Sequence, residues 1–598
     1  MTSEPTTQTI RIGGASGAWG DSPGALGQLL DAGVDYLMMD YLAEVTMSLL
    51  ARSRLRDPNA GYAPDAVGYL LPHLDTLAGS GTKVVSNGGG VNPEACKAQL
   101  EAAITERGLD LTVGVVTGDD VSDLIAPQGE GAAARYLSAN AYLGALPIKA
   151  ALDAGADIVL TGRCADSALA VGILMHEFGW GSADLDELAS ASLVGHLLEC
   201  GPQATGGNFT DWDEVPGWGT IGYPIAICEP TGDFTITKPD GTGGLVDTRC
   251  LTEQLFYEIG DPARYILPDV VADFSDVVLT QVDDDHVRVT GVVGHPPTRQ
   301  YKVSATRQTG FKSVTSVAIA GPQAVAKAEK TAEEFLARAQ KICEDSGAHP
   351  ITDHRIEVLG AESVYGVPER ARAHREVLLR LVMTHPQREI LDRIAREVGS
   401  IGLGFAPGVM GLYGGRPKSS PQIVLETRFV DKEQVPAPLV HVGGAEPVAV
   451  EIPGGQESES STPHPPTPAE PSAFAPGRRV PLGAIAHARS GDKGDSSNIA
   501  LIARHPDFYP LLAQVDEAMV RAQFAPQVFG RIERFDVPGL SAVNFLIQEA
   551  LGGGGIASLR IDPQGKAYGQ MMLEALVAVP DELVDSVDPL LIKRFNRP

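Results

Sequence analysis

Cysteine is scarce: Cys96, Cys164, Cys200, Cys228, Cys250 and Cys343 are the only ones in 598 residues. None forms a CxxC pair and none stands at zinc-ligand spacing from a histidine. A disulfide framework and a structural metal are therefore disfavoured, and reduced thiols are expected. No run of about 18 uninterrupted apolar residues occurs, so no membrane span is expected. The opening residues, MTSEPTTQTIRIGG, lack the basic and apolar regions of a signal peptide, which favours a cytoplasmic location. Positive charge is also short: 47 Lys and Arg stand against 76 Asp and Glu, a formal net charge of −29. So acidic a chain repels phosphate backbones, which argues against a nucleic-acid partner. Any anionic ligand must then be met by local basic groups or backbone N–H donors. The first glycine turn, Gly13-Gly14-Ala15-Ser16-Gly17, lacks GxGxxG spacing, so no nicotinamide cofactor is expected.

The chain that remains is ordinary in apolar content, at 43%, and too long for a single core. Its first 225 residues alternate short apolar runs with helical patterns. Strands are expected at 10–14, 35–39, 83–85, 111–116 and 158–160, each ending in a loop rich in Gly, Asn or Asp. This rhythm predicts an α/β core with a mostly parallel sheet covered by helices, with ligands bound beyond the strand C-termini. Residues 226–452 read as an α+β extension, with a hairpin at 234–247 and antiparallel strands within 276–304. The Pro/Ser/Glu-rich stretch 453–478 reads as a flexible linker. Residues 479–598 read as a small two-layer α+β domain, with a polar loop at 488–498, a helix at 544–551 and a strand at 558–561.

The densest chemistry lies between Asp157 and Asp211. Arg163 follows a strand and suits a carboxylate or phosphate; Asp166 suits a base or the orienting partner of Arg163, and an internal salt bridge is the plain alternative. Glu199 follows an apolar run, where burial would raise its pKa and fit it for proton transfer, unless it pairs with a structural arginine. Asn87 and Gln203 can donate to a carbonyl oxygen. Backbone N–H groups at Gly13, Gly14, Gly88, Gly89, Gly206 and Gly207 can cradle a phosphate or an oxyanion, or simply make tight turns. Cys200 reads better as a small buried thiol than as a nucleophile. Asp40, Asp119 and Asp120 are weak candidates for magnesium, and no metal is expected.

Several long stretches resemble a known family. RIGGASGAWGDS, DYLAEVTMSLL, KVVSNGGGVNP, GADIVLTGRCADSAL, ECGPQATGGN and TEQLFYEIGDPARYILPDVVADF are similar to the acyclic terpene utilisation AtuA family. HARSGDKGDSSNIALIAR and ALGGGGIASLRIDPQGKAYGQ resemble the ferredoxin-like domain that accompanies it. The resemblance implies catabolism of terpenoid or branched acyl-CoA compounds, with coenzyme A as part of the substrate and no separate cofactor. In that context Arg489 and Lys493 could capture coenzyme A phosphates, or form a domain-packing salt bridge. The enzyme expected is a lyase of the hydratase or dehydratase type. The alternative is a non-catalytic adaptor docked on an acyl-CoA carboxylase or another pathway enzyme. A homo-oligomer is expected from the apolar, glycine-rich 404–415 loop.

Overall fold

The computed structural model describes residues 9–126, 136–457, 477–525, 527 and 529–596. Most of the expected linker, residues 458–476, lies outside the described residues.

The frame is an 11-stranded sheet. At its centre β1 (Ile10–Ser16), β2 (Tyr36–Met39), β3 (Lys83–Ser86), the strand Ile158–Thr161 and β4 (Val113–Thr117) pair in parallel, in that spatial order. These strands are apolar on both faces because both faces are covered. Successive residues of β2 show this: Tyr36 and Met38 pack into one core cluster, Leu37 and Met39 into another. Helices Ala168–Phe178 and Leu185–Leu198 supply the first cluster. Helices α1 (Ala25–Asp31) and Pro93–Arg107 supply the second.

Among the described residues the parallel ladders are those of these five strands, and parallel pairing elsewhere is limited to isolated bridges such as Leu143 with Cys164. On one flank Ile225–Cys228, Phe234–Thr237, His286–Thr290 and Val278–Asp283 add antiparallel; on the other, Leu439–Val442 and Val448–Ala449 do so. The 234–247 stretch is not a hairpin: Phe234–Thr237 pairs with the preceding strand and with 287–289. A second sheet is built on the 21-residue strand Gln300–Ala320. That strand also pairs with Ser138–Ala141 of the first half, so the two halves share backbone hydrogen bonds. One edge of this sheet, Val409–Tyr413, exposes Met410 and Tyr413.

The last unit is a four-stranded antiparallel sheet with its own core. Two expectations fail here. Residues 542–547 form an inner strand rather than a helix, because Val543, Phe545 and Ile547 alternate into the core while both backbone edges are paired. Residues 558–561 form no strand. The expected polar loop 488–498 is a β-hairpin, Ala486–Lys493 with Ser496–Ala503. This hairpin docks the unit onto the 248–260 segment. Asn498 Nδ2 donates to the Phe256 carbonyl at 2.7 Å, and Asn544 Nδ2 donates to Gly260 at 2.6 Å. Alongside, Arg504 grips the buried Asp211 with two hydrogen bonds, of 2.6 and 2.8 Å. Among the described residues no helix is long and apolar enough to cross a membrane.

Candidate functional site

Parallel strands that end together deliver their next residues to one place. Gly17 follows β1, Asp40 follows β2, Asn87 follows β3, and Arg163 and Asp166 follow Ile158–Thr161. Glu199 caps the helix Leu185–Leu198 and reaches the same place. There one oxygen each of Asp40, Asp166 and Glu199 lies within 4.8 Å of the others. These carboxylates border a cavity of about 450 Å³. Glu258 and Lys302 reach it from the middle of the chain, and Asp492, Lys493 and Lys566 from the last unit. Carboxylates and cations nearly balance here, in contrast to the chain as a whole.

Each acid has a distinct environment. Arg163 Nη1 donates to Asp166 Oδ1 at 2.8 Å and to the Leu42 carbonyl at 2.5 Å, so Asp166 is held as the partner of a buried guanidinium. Asp40 is buried, and burial with the neighbouring Asp166 and Glu199 pushes its carboxyl well above the ordinary range, against Arg163 and Asn87. Asn87 donates to Asp40 at 2.6 Å and accepts from the Tyr41 N–H at 2.8 Å. It therefore positions Asp40 and does not face the cavity.

Glu199 is set apart by His196. The His196 Nε2 faces two carbonyl oxygens, of Gln254 and Leu255, each at 3.1 Å, so it must carry a proton. Its Nδ1 lies 3.1 Å from Glu199 Oε1, a hydrogen bond only if one proton sits between them. Burial pushes the imidazole down to about 4 and pushes the Glu199 carboxyl well above its usual range, with Asp166 adding to the latter and Lys493 opposing it. Both directions place the proton on Glu199. The site thus holds a protonated carboxyl beside a carboxylate paired with arginine, the division of labour that acid–base chemistry needs.

Lys493 extends into the cavity, solvated yet deep. Its ammonium faces the Tyr265 ring at 5.7 Å and makes no hydrogen bond or ion pair among the described residues. Burial alone would lower this amine, but Tyr265, Glu258, Glu199 and Asp166 hold it well above the ordinary value. It is a standing cation for an anionic group. The three-carboxylate cluster has the spacing to hold a divalent ion, and Lys493 and Arg163 bring positive charge to the same space.

The other expected residues are placed as follows. Gln203 lines the cavity and its Oε1 accepts from Arg489. Arg489 is buried, donates also to the Asn208 carbonyl at 3.0 Å, and stacks on Tyr257 at 4.5 Å. It braces the two units. Gly13, Gly14, Gly88, Gly89, Gly206 and Gly207 are absent from the cavity wall. A Cβ at Gly14 would stand 2.6 Å from the Leu198 carbonyl, so that glycine lets β1 approach the helix bearing Glu199. Burial, with Glu199 and Glu258, pushes the Cys200 thiol well up, which suits an inert side chain. Asp119 is taken by the Asn140 amide at 2.7 Å and the Arg163 N–H at 2.9 Å. Sequence reasoning missed Lys302, Glu258, Lys566, Tyr142 and Tyr265. Only Tyr265 had a local signal, in the aromatic run within the 252–274 stretch.

A second, apolar pocket of about 430 Å³ adjoins the first. Ala165, Tyr265, Ile266, Leu267, Pro268 and Phe429 line it, and Tyr142, Asp166, Lys302 and Lys493 are common to both. The combined space is polar beside the acids and apolar beyond them.

Two family models match the chain. "Acyclic terpene utilisation family protein AtuA" covers residues 10–441, and "AtuA ferredoxin-like domain" covers residues 480–578. No curated protein matches the sequence.

Proposed function

The chain belongs to the acyclic terpene utilisation AtuA family, and from that premise we propose that it is an acyl-CoA lyase of the hydratase or dehydratase type, acting on branched or terpenoid acyl thioesters. The observation that carries this reading is the pairing of protonated Glu199 with Arg163-bound Asp166 at the junction of a polar and an apolar pocket. In the hydration direction Asp166 takes a proton from water as its oxygen bonds to the β-carbon. The thioester oxygen gains negative charge and rests against Lys493. Glu199 then gives its proton to the α-carbon, yielding a 3-hydroxyacyl thioester, and the proton taken up by Asp166 passes to Glu199, whose carboxyl oxygen lies within 4.8 Å, to restore the starting state. Dehydration reverses these steps. General acid–base catalysis of this kind contributes about 10²- to 10⁴-fold, and charge stabilisation by a cation already in place adds to it. Burial, with the neighbouring charges of Asp166 and Glu258, supports the high proton affinity of Glu199.

Incubation with branched 2-enoyl-CoA thioesters in ¹⁸O-labelled water tests the assignment. One labelled oxygen should enter the product, with or without a chelator. Asp166→Asn and Glu199→Gln should each lower the rate by about 10²-fold or more. Unchanged rates in both variants would remove the assigned roles.

A further inference from the structure

A third cavity, of about 270 Å³, adjoins the one that holds the acids. Ala43, Asp492 and Gln564 stand on the walls of both. It shares no residue with the apolar pocket beside Tyr265. The hairpin strand Ala486–Lys493 explains the separation. Lys493 belongs to the acid cavity and to the apolar pocket. Asp492, one residue earlier and so on the opposite face of the strand, belongs to the acid cavity and to the third one. The acids therefore stand between two chambers that have no wall in common.

Three parts of the chain build the third chamber. The helix Glu44–Arg56 contributes Ser48, and the paired strands Gln300–Ala320 and Ser420–Asp431 contribute Thr306, Ile423 and Leu425. The last unit contributes the hairpin turn at Gly494 and the loop 554–557. A Cβ at Gly554 would collide with the Gly494 carbonyl, so glycine lets the loop close onto the turn. The wall carries hydrogen-bonding groups but no cation. Gly554 and Gly555 take left-handed φ values of 66° and 46°, and among the described residues neither N–H is bonded. Ser48 is buried on the same wall, and its Oγ has no partner among the described residues. Polar groups shut off from water without a partner cost free energy, so these call for one. Among the described residues Asp492 is the only charged side chain on this wall, which disfavours an anion. Ile423, Leu425, Ile556 and Pro563 are apolar. A neutral, flexible chain punctuated by amides fits such a wall: its carbonyls accept from the N–H groups and its methylenes lie on the apolar side chains.

The geometry points to this chamber as the subsite for the amide-bearing pantetheine arm of the thioester carrier, with the acyl group in the apolar pocket and the thioester between them beside the acids. The inference rests on the thioester reading for the identity of its ligand; the chamber and its donors do not depend on that reading.

Calorimetry on the full chain tests it with pantetheine and N-acetylcysteamine, which carry the same thiol and first amide and differ in the rest of the arm. Wild type should bind pantetheine at least about tenfold more tightly. Leu425→Trp and Ile556→Trp each fill the chamber and should cut that advantage to about twofold or less. Both positions are half-buried, and either variant decides the matter once its melting curve shows that it is folded. No pantetheine advantage in wild type, or one that survives in a folded variant, overturns the subsite. A pantetheine advantage that both variants abolish, with no turnover of any branched 2-enoyl thioester, leaves the subsite standing and removes the lyase reading instead. Turnover without a pantetheine advantage does the reverse.

Discussion

Glu199 concentrates the chemistry into one proton. Its folded pKa is raised, so the folded chain keeps this proton where the unfolded chain loses it, near the ordinary value of about 4.3. The stability associated with that proton is full below the unfolded value and declines as pH rises through the folded one. The decline is at most about 1.4 kcal/mol for each pH unit in that window. Glu199→Gln removes the titration and can still donate to His196. It should therefore be more stable than wild type in denaturant melts at pH 8, with the difference vanishing toward pH 4. A variant less stable than wild type at pH 8 would contradict the assigned proton. The sequence made Arg163, Asp166 and Glu199 legible as candidates because each stands where an apolar element ends. It did not show which of the acids keeps its proton. That depends on His196 and the carbonyls of Gln254 and Leu255, which come from a helix 58 and 59 positions away.

At the scale of elements, the β-hairpin Ala486–Lys493/Ser496–Ala503 carries the argument. Its glycines and charges imitate a loop. In the fold, Ser490 is buried on Gly565 and Gly491 faces the Tyr257 ring, so no longer side chain could replace that glycine. Two residues on, alternation aims Lys493 into the cavity. Lys493→Met keeps the apolar stem and removes the charge. It should lower kcat for thioester turnover by about 10²-fold, with a smaller change in KM, measured by steady-state kinetics; an unchanged kcat would show that the ammonium does not stabilise developing charge. The strand ends of the first sheet were readable because Gly, Asn and Asp punctuate them. The antiparallel flanks and the 542–547 strand were not, since short apolar runs acquire their identity from the partners on either side.

For the molecule as a whole, the two regions matched by the family models meet at a single cavity. Asp40, Arg163, Asp166 and Glu199 come from the first, and Asp492, Lys493 and Lys566 from the second. Asn498, Asn544 and the Arg504–Asp211 pair fix their relative position. Nothing in the order of the sequence announces that meeting; it follows from three-dimensional docking of surfaces separated by more than 200 positions. Both regions therefore contribute to the cavity wall. The most direct measurement is thermal melting of the full chain against a panel of branched, saturated and 2-enoyl acyl-CoA thioesters. Branched 2-enoyl thioesters at about 100 times their Kd should stabilise it by about 2.7 kcal/mol, seen as a higher Tm, and Asp166→Asn should still show the rise because it retains the pocket. A folded chain whose Tm is unmoved by every thioester would contradict the proposed function.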